Sequence, residues 1–132
     1  MAGLPRLAMS GFLARTPALA SPQPAVPSIT WVGHATVLIE LDGVRILTDP
    51  VLGARVGPLA RIAPPASTTA AEAIDAVLLS HLHADHADVR SLRRLGSETR
   101  VIAPPGAAAW LASRGFTNVE ELAPGGEAHV GP

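Results

Sequence analysis

The residues best able to do chemistry lie in one stretch, Ser80-His81-Leu82-His83-Ala84-Asp85-His86-Ala87-Asp88. In an extended segment residues i and i+2 point the same way, so His81 and His83 can converge on one divalent cation. Asp85 and His86 follow where the chain turns toward a helix, which aims them at a different point and permits a second ion a few ångströms from the first. The chain has no cysteine. Any ion must therefore be held by imidazole and carboxylate, a donor set that suits Zn2+ and is also compatible with Mn2+, Fe2+ or Ni2+. The competing reading is a solvated, His-rich turn in which Asp85 and Asp88 compete to cap the next helix. A strand end opening onto a helix is where α/β sheets place ligand sites, which favours metal ligation.

Other positions carry two readings each. His34, in a Gly-His-Ala turn, either approaches the metal edge as a supporting or substrate contact or is an ordinary core or loop histidine. Asp49, before Pro50, either orients a ligand histidine through its other ring nitrogen or starts a turn with a local backbone bond. Asp88 reads as a helix cap rather than a ligand. Arg55 and Arg61 either meet an anionic group of a substrate or are solvated. Trp31 and Trp110 fall within apolar patterns and are expected in the core.

The elements that position these groups follow from the hydrophobic pattern. Ile29–Val32, Thr36–Leu41 and Val44–Thr48 read as strands, and Asp42-Gly43 between the last two is a hairpin signal because both turn positions need positive φ. Residues 50–70 are rich in Pro, Gly, Ala and Arg without a clear period. Ala76–Ser80 is a short continuous apolar run, as in a strand buried on both faces. Asp88 then caps a helix that turns Val89, Leu92 and Leu95 inward, with Arg93 and Arg94 near its negative end and Gly96 as its stop. Arg100–Ala103 reads as a strand. Pro105 and Gly106 open a second helix through Trp110 and Leu111 that stops at Gly115, with Phe116 covering its end. Strands alternating with helices predict an α/β sheet with helices on its outer face.

Composition bounds the rest. At 132 residues, 48% hydrophobic and 16% charged, the chain has enough apolar material for one packed core. Ten Arg and no Lys against eleven acids give a net charge of −1, so global charge gives no reason to expect nucleic acid or an anionic membrane as partner. The missing Lys beside abundant Ala and Pro points to a GC-rich bacterial genome. Residues 1–27 carry Pro17, Pro22, Pro24 and Pro27 and read as a flexible leader, with residues 28–132 as the domain. The apolar stretch from Leu7 to Leu13 is cut short by Arg15, which argues against a signal peptide. No run reaches the roughly 18–20 apolar residues that span a bilayer. A cytoplasmic protein is expected.

Three segments together, Thr30-Trp31-Val32-Gly33-His34-Ala35-Thr36, Ile46-Leu47-Thr48-Asp49-Pro50 and the His-x-His-x-Asp-His signature after Leu78-Leu79-Ser80, resemble the metallo-β-lactamase superfamily. The likeness is strongest to the branch with N-acylphosphatidylethanolamine-hydrolysing phospholipase D and L-ascorbate-6-phosphate lactonase, and it runs from about Ile29 to Pro132. The resemblance implies the N-terminal portion of an αββα sandwich, with His81 and His83 on metal one and Asp85 and His86 on metal two. It also implies a metal-dependent hydrolase, acting through an activated water on an ester or phosphodiester of a small-molecule or lipid-like substrate. Asp85 is the candidate to orient that water and accept its proton, in addition to ligating metal two.

The chain also departs from the family. Members continue further and supply another histidine, a bridging aspartate and a final histidine, whereas the only later histidine here is His129, expected at the surface. Gly125 to Pro132 reads as a turn leading into a further strand, so a truncated chain is expected. One sheet face would then lie uncovered. With two protein ligands per ion the site falls short of the three usual in catalytic zinc sites. The alternative reading is accordingly a truncated, non-catalytic metal-binding or interaction fragment.

Overall fold

A computed structural model describes residues 26–131. The proline-bearing leader expected over residues 1–27 falls, but for its last two residues, outside the described part, as does the interrupted apolar stretch within it.

The chain opens with β1 (Ser28–Gly33), β2 (Thr36–Leu41) and β3 (Val44–Thr48). A segment without a clear period in the sequence follows, containing a small antiparallel hairpin of β4 (Arg55–Val56) and β5 (Leu59–Ala60) and a 3-10 turn at Thr68–Ala71. Then come β6 (Ala76–Leu78), α1 (Val89–Leu95), β7 (Arg100–Ala103), α2 (Ala107–Ala112) and β8 (Val119–Glu121). Apart from the hairpin, the strands form one mixed sheet, hydrogen-bonded in the order β1-β2-β3-β6-β7-β8. The first three form an antiparallel meander, and β3, β6, β7 and β8 run parallel. The β2–β3 connection is the expected Asp42-Gly43 turn, with φ of +51° and +82°. Parallel neighbours require a crossover, and α1 and α2 supply it on either side of β7.

Register separates the two sheet faces. Leu38, Leu47, Val77, Val101 and Val119 are successive lateral partners, so they share one face. The helices cover that face: Val77, Leu79, Val101 and Ala103 pack with Leu92 of α1, Ala107 and Leu111 of α2, and Phe116. Val89, Leu95 and Trp110 pack partly buried against the same cluster. Asp88 caps α1 by accepting from Ser91 N, and Gly96 ends it at φ +108°. The α2 helix opens on Gly106 without a side-chain cap and closes where Phe116 N donates to Leu111 O.

The opposite face carries Ile29, Ile39 and Ile46, lateral partners of one another. Ile29 is exposed and Ile39 and Ile46 are only half-buried. The face expected to lie uncovered is thus bare only toward β1, since Ala76 and Ile102 on the same face are buried. The last described residues cross one end of it, where Arg100 Nη1 donates to His129 O at 2.6 Å. The His129 side chain is at the surface.

Two expectations need correction. Trp31 is 67% exposed rather than in the core, because its alternation places it on the bare face at the end of edge strand β1. Arg61, expected either to be solvated or to meet a substrate anion, is half-buried and turns its guanidinium to backbone carbonyls. Its Nε donates to Pro64 O (2.8 Å), its Nη1 to Val51 O (2.9 Å) and its Nη2 to Val32 O, so it ties the loop after β3 to the end of β1.

Candidate metal centre

Topology alone brings three separated segments to one edge. Because β2 runs antiparallel to β3 with Leu38 opposite Leu47, the Gly33–Ala35 turn before β2 lies beside the end of β3. Because β6 is parallel to β3 with Leu78 opposite Thr48, the histidine-rich stretch leaves the sheet at the same edge. Two threonines lock the first two segments together. Thr36 Oγ1, fully buried, donates to Asp49 O (2.8 Å) and accepts from Val51 N (3.0 Å). Thr48 Oγ1 donates to Ala35 O (2.8 Å) and accepts from Val37 N (3.0 Å).

Asp49 is the organiser of the edge. It is 6% exposed and sits at φ +35°. Its carboxylate accepts from Ser80 N (2.7 Å), Ser80 Oγ (2.7 Å) and His86 Nδ1 (2.9 Å). These contacts explain why β6 ends at Leu78 and not at Ser80: Leu79 N still bonds Ile102 O, whereas the Ser80 N–H has turned to Asp49. No local pattern assigns Ser80 a role, and only the juxtaposition of β3 with β6 supplies one.

The hydrogen bonds assign two tautomers. A carboxylate only accepts, so His86 carries its proton on Nδ1 and leaves Nε2 as a lone pair. Ser80 Oγ spends its single proton on Asp49, so at 2.9 Å from His81 Nδ1 it accepts from that nitrogen, which leaves His81 Nε2 as a lone pair too. This is the outer-partner arrangement that orients ligand imidazoles. His81 Nε2 lies 3.0 Å from His83 Nδ1. Two nitrogens on a tetrahedral ion with bonds of about 2.0–2.1 Å stand roughly 3.3 Å apart, so this pair is at chelating separation once His83 shifts its own proton to Nε2.

Residues His83 to His86 form a tight turn in which His86 N and Ala87 N both donate to His83 O (2.9 and 2.8 Å). The turn swings Asp85 away from the His81–His83 pair and toward His34: Asp85 Oδ2 is 3.3 Å from His34 Nε2 and 3.7 Å from His86 Nε2. The ligand atoms of His34, Asp85 and His86 all lie within 4.8 Å of one another. A backbone N–H of its own turn holds the Asp85 carboxyl below the usual carboxylate range against partial desolvation, and His86 and His34 act in the same direction only in their protonated, cationic forms. The His81 and His86 rings are 4.1 Å apart between centroids, so the two donor groups adjoin. The donor chemistry fits divalent cations: convergent imidazole lone pairs, one ionised carboxylate, and a carboxylate behind the rings.

The structure places His34 at the same sheet edge as Asp85 and His86. The His34 imidazole is half-exposed and could offer a third ligand atom beside those of Asp85 and His86. The hint in the sequence is the Gly33-His34 pair, whose φ values of +132° and +53° make the sharp turn that carries the ring over the edge. Asp88 stays outside the cluster as a cap, its carboxylate accepting from Ser91 N and Ser91 Oγ (3.1 and 2.6 Å).

Residues 44–132 match the family model described as a beta-lactamase superfamily domain, and the chain belongs to that superfamily. It is similar to N-acyl-phosphatidylethanolamine-hydrolyzing phospholipase D 1 of Caenorhabditis elegans, 35% identical over 96 residues that cover 66% of this chain and 27% of the relative. It is also similar to a UPF0173 metal-dependent hydrolase of Koribacter versatilis, 36% identical over 106 residues that cover 78% and 42%. Among solved structures it resembles CmlA, a diiron beta-hydroxylase from Streptomyces venezuelae, with a TM-score of 0.57 and 29% identity over 78% of this chain and 22% of that one. The chain thus spans from about a quarter to two fifths of the curated relatives it matches. Its sheet and helices form part of the β-lactamase fold. Among the described residues no helix is long and apolar enough to cross a membrane.

Proposed function

We propose that this chain supplies the first metal-binding segments of a metal-dependent hydrolase that cleaves an ester or phosphodiester bond. The observation that supports this reading best is the convergence of two adjoining donor groups at one sheet edge, His81 with His83 and Asp85 with His86 and His34, behind which Asp49 and Ser80 fix the ring protons. Two ions are proposed, with Zn2+ the first choice from the imidazole-rich donors and Mn2+, Fe2+ or Ni2+ compatible with them. Ions so held supply the acidity that makes a water nucleophilic near neutral pH. The chain's own work is then to hold and to orient. Asp85, kept ionised by the backbone N–H of its turn, directs the nucleophilic water and accepts its proton. His34, half-exposed over the edge, stands where it can touch either an ion or the substrate. The name of the nematode relative supports a phospholipid or similar small-molecule or lipid-like substrate, and that of the Koribacter relative supports metal-dependent hydrolysis without naming a substrate.

One observation favours a second reading, a metal-binding or interaction fragment without catalysis. Among the described residues the His81–His83 pair has no third protein donor, one fewer than catalytic zinc sites usually have. One experiment separates the two: metal content and turnover of bis(p-nitrophenyl) phosphate and p-nitrophenyl acetate are measured for the wild-type protein and for His83→Ala, each loaded with zinc or manganese. The hydrolase reading expects bound metal and a loss of turnover of at least a hundredfold in the variant. Bound metal with no turnover in the wild type favours the fragment, and equal turnover in both removes the assignment.

A further inference from the structure

Of the six large apolar side chains exposed among the described residues, Val26, Ile29 and Leu41 stand apart and three come together. Trp31 (67% exposed), Leu59 (60%) and Ile62 (101%) gather with Val51 and Val56 around a single open cleft of about 430 Å3 between the end of β1 and the β4–β5 hairpin. His34 and Asp85 line the same cleft, so it runs without interruption into the group His34, Asp85 and His86.

The walls are held in place before anything binds. The Trp31 Nε1–H donates to His34 O at 2.9 Å, which anchors the indole between the histidine turn and the hairpin. Arg61 fastens the return from the hairpin to Val51, Val32 and Pro64, and Arg55 Nη2 closes the hairpin onto Pro58 O (2.9 Å). Arg55 and Arg61 also line the cleft, and three of the five Arg61 N–H donors are taken by these carbonyls, which fixes its guanidinium against the chain. Clustered apolar side chains on a prearranged concave surface, within the size range of small-molecule sites and with polar groups at one end, are the mark of a ligand cleft.

We propose, building on the hydrolase reading above, that this cleft seats an apolar acyl or alkyl arm of the substrate while the bond to be cleaved reaches His34 and Asp85. The occupant is apolar because the walls are, and it is part of the substrate because the cleft ends at the proposed metal ligands. Trp31, Leu59 and Ile62 are then specificity determinants that touch the arm and take no part in the reaction.

The test is calorimetric binding of methyl-, butyl- and decylphosphonate, each below its micelle concentration, to protein loaded with zinc and to protein stripped with EDTA. Each methylene that enters the cleft is expected to tighten binding about fourfold, so decylphosphonate should exceed methylphosphonate by well over a hundredfold. Leu59→Ser with Ile62→Ser should cut that ratio at least tenfold, and Ile62→Ser alone should cut it partway. Both side chains are exposed, so the variants keep the fold. Trp31 is left intact because its indole also holds the His34 turn. Ile29→Ser, an equally exposed site away from the cleft, should leave the ratio unchanged. Equal binding of methyl- and decylphosphonate, or an equal loss in Ile29→Ser, overturns the proposal and marks the cleft as a surface covered by protein. Removing zinc should weaken every phosphonate alike without changing the ratio. A methylphosphonate affinity that ignores zinc counts against the metal reading, while the ratio still judges the cleft.

Discussion

Replacing Asp49 by Asn changes one oxygen to an amide nitrogen and tests how the site is ordered. In the native arrangement one carboxylate oxygen takes Ser80 N and the other takes both Ser80 Oγ and His86 Nδ1. A side-chain amide that keeps its oxygen toward Ser80 N presents an NH2 to the other two. Ser80 can rotate its hydroxyl. His86 must move its proton from Nδ1 to Nε2, and the lone pair that faced Asp85 and His34 is then lost. Removing such an outer partner costs about 10–100-fold in metal affinity, equivalent to about 1.4–2.7 kcal/mol. The assay is competition against a chromophoric chelator, with the His86 tautomer read in parallel from long-range 1H–15N correlations. Asp88→Ala is the control: loss of the α1 cap should cost about 1 kcal/mol of stability and leave metal affinity unchanged. If the Asp49→Asn protein bound metal as tightly as wild type, with the His86 proton still on Nδ1, Asp49 would have no part in ordering the ligands.

Further perturbations address other parts of the same edge. Thr36→Val leaves Asp49 O and Val51 N without their buried partner and should lower stability by about 2–4 kcal/mol in chemical denaturation, whereas Thr36→Ser should recover most of the loss. Gly33→Ala puts a Cβ 2.7 Å from Arg61 Nη2 at φ +132°, so a thermal melt should show a loss of more than about 2 kcal/mol. Arg61→Lys, which cannot span three carbonyls, should lose stability in the same melt without any clash being introduced. His34→Ala removes one of three donors beside Asp85 and His86; titration should show one of two ions weakened at least tenfold and the other retained.

Much of this architecture is legible in the sequence because local rules and burial agree. Asp42-Gly43 admits few backbones other than a hairpin, Asp88 and Gly96 bracket a helix whose apolar positions share one face, and Ala76–Leu78 is apolar without alternation because Ala76 and Val77, on opposite faces of the sheet, are both buried. The His-x-His-x-Asp-His stretch declares its donors by type and spacing. What escapes such a reading depends on contacts distant in sequence. The exposure of Trp31 follows from its place on the outermost strand, on a face that few side chains cover, and apolar patterning cannot tell a covered face from a bare one. Arg61 resembles an ordinary loop arginine because its partners lie as far away as Val32. Ser80 and His34 gain their roles only when β2 and β6 flank β3, an order that no local pattern encodes. The short β4–β5 hairpin and the Thr68–Ala71 turn lack the residue periodicity that would announce them.

If this sheet edge grips divalent cations, it does so through five side chains, His34, His81, His83, Asp85 and His86. Anomalous X-ray diffraction at the zinc edge, from crystals of the metal-loaded protein, locates such ions without reference to activity. Two peaks are expected, one about 2.0–2.1 Å from His81 Nε2 and His83 Nδ1, the other at like distance from Asp85 Oδ2 and His86 Nε2. Fully loaded crystals with no peak within bonding distance of these atoms would show that the edge is not a metal centre.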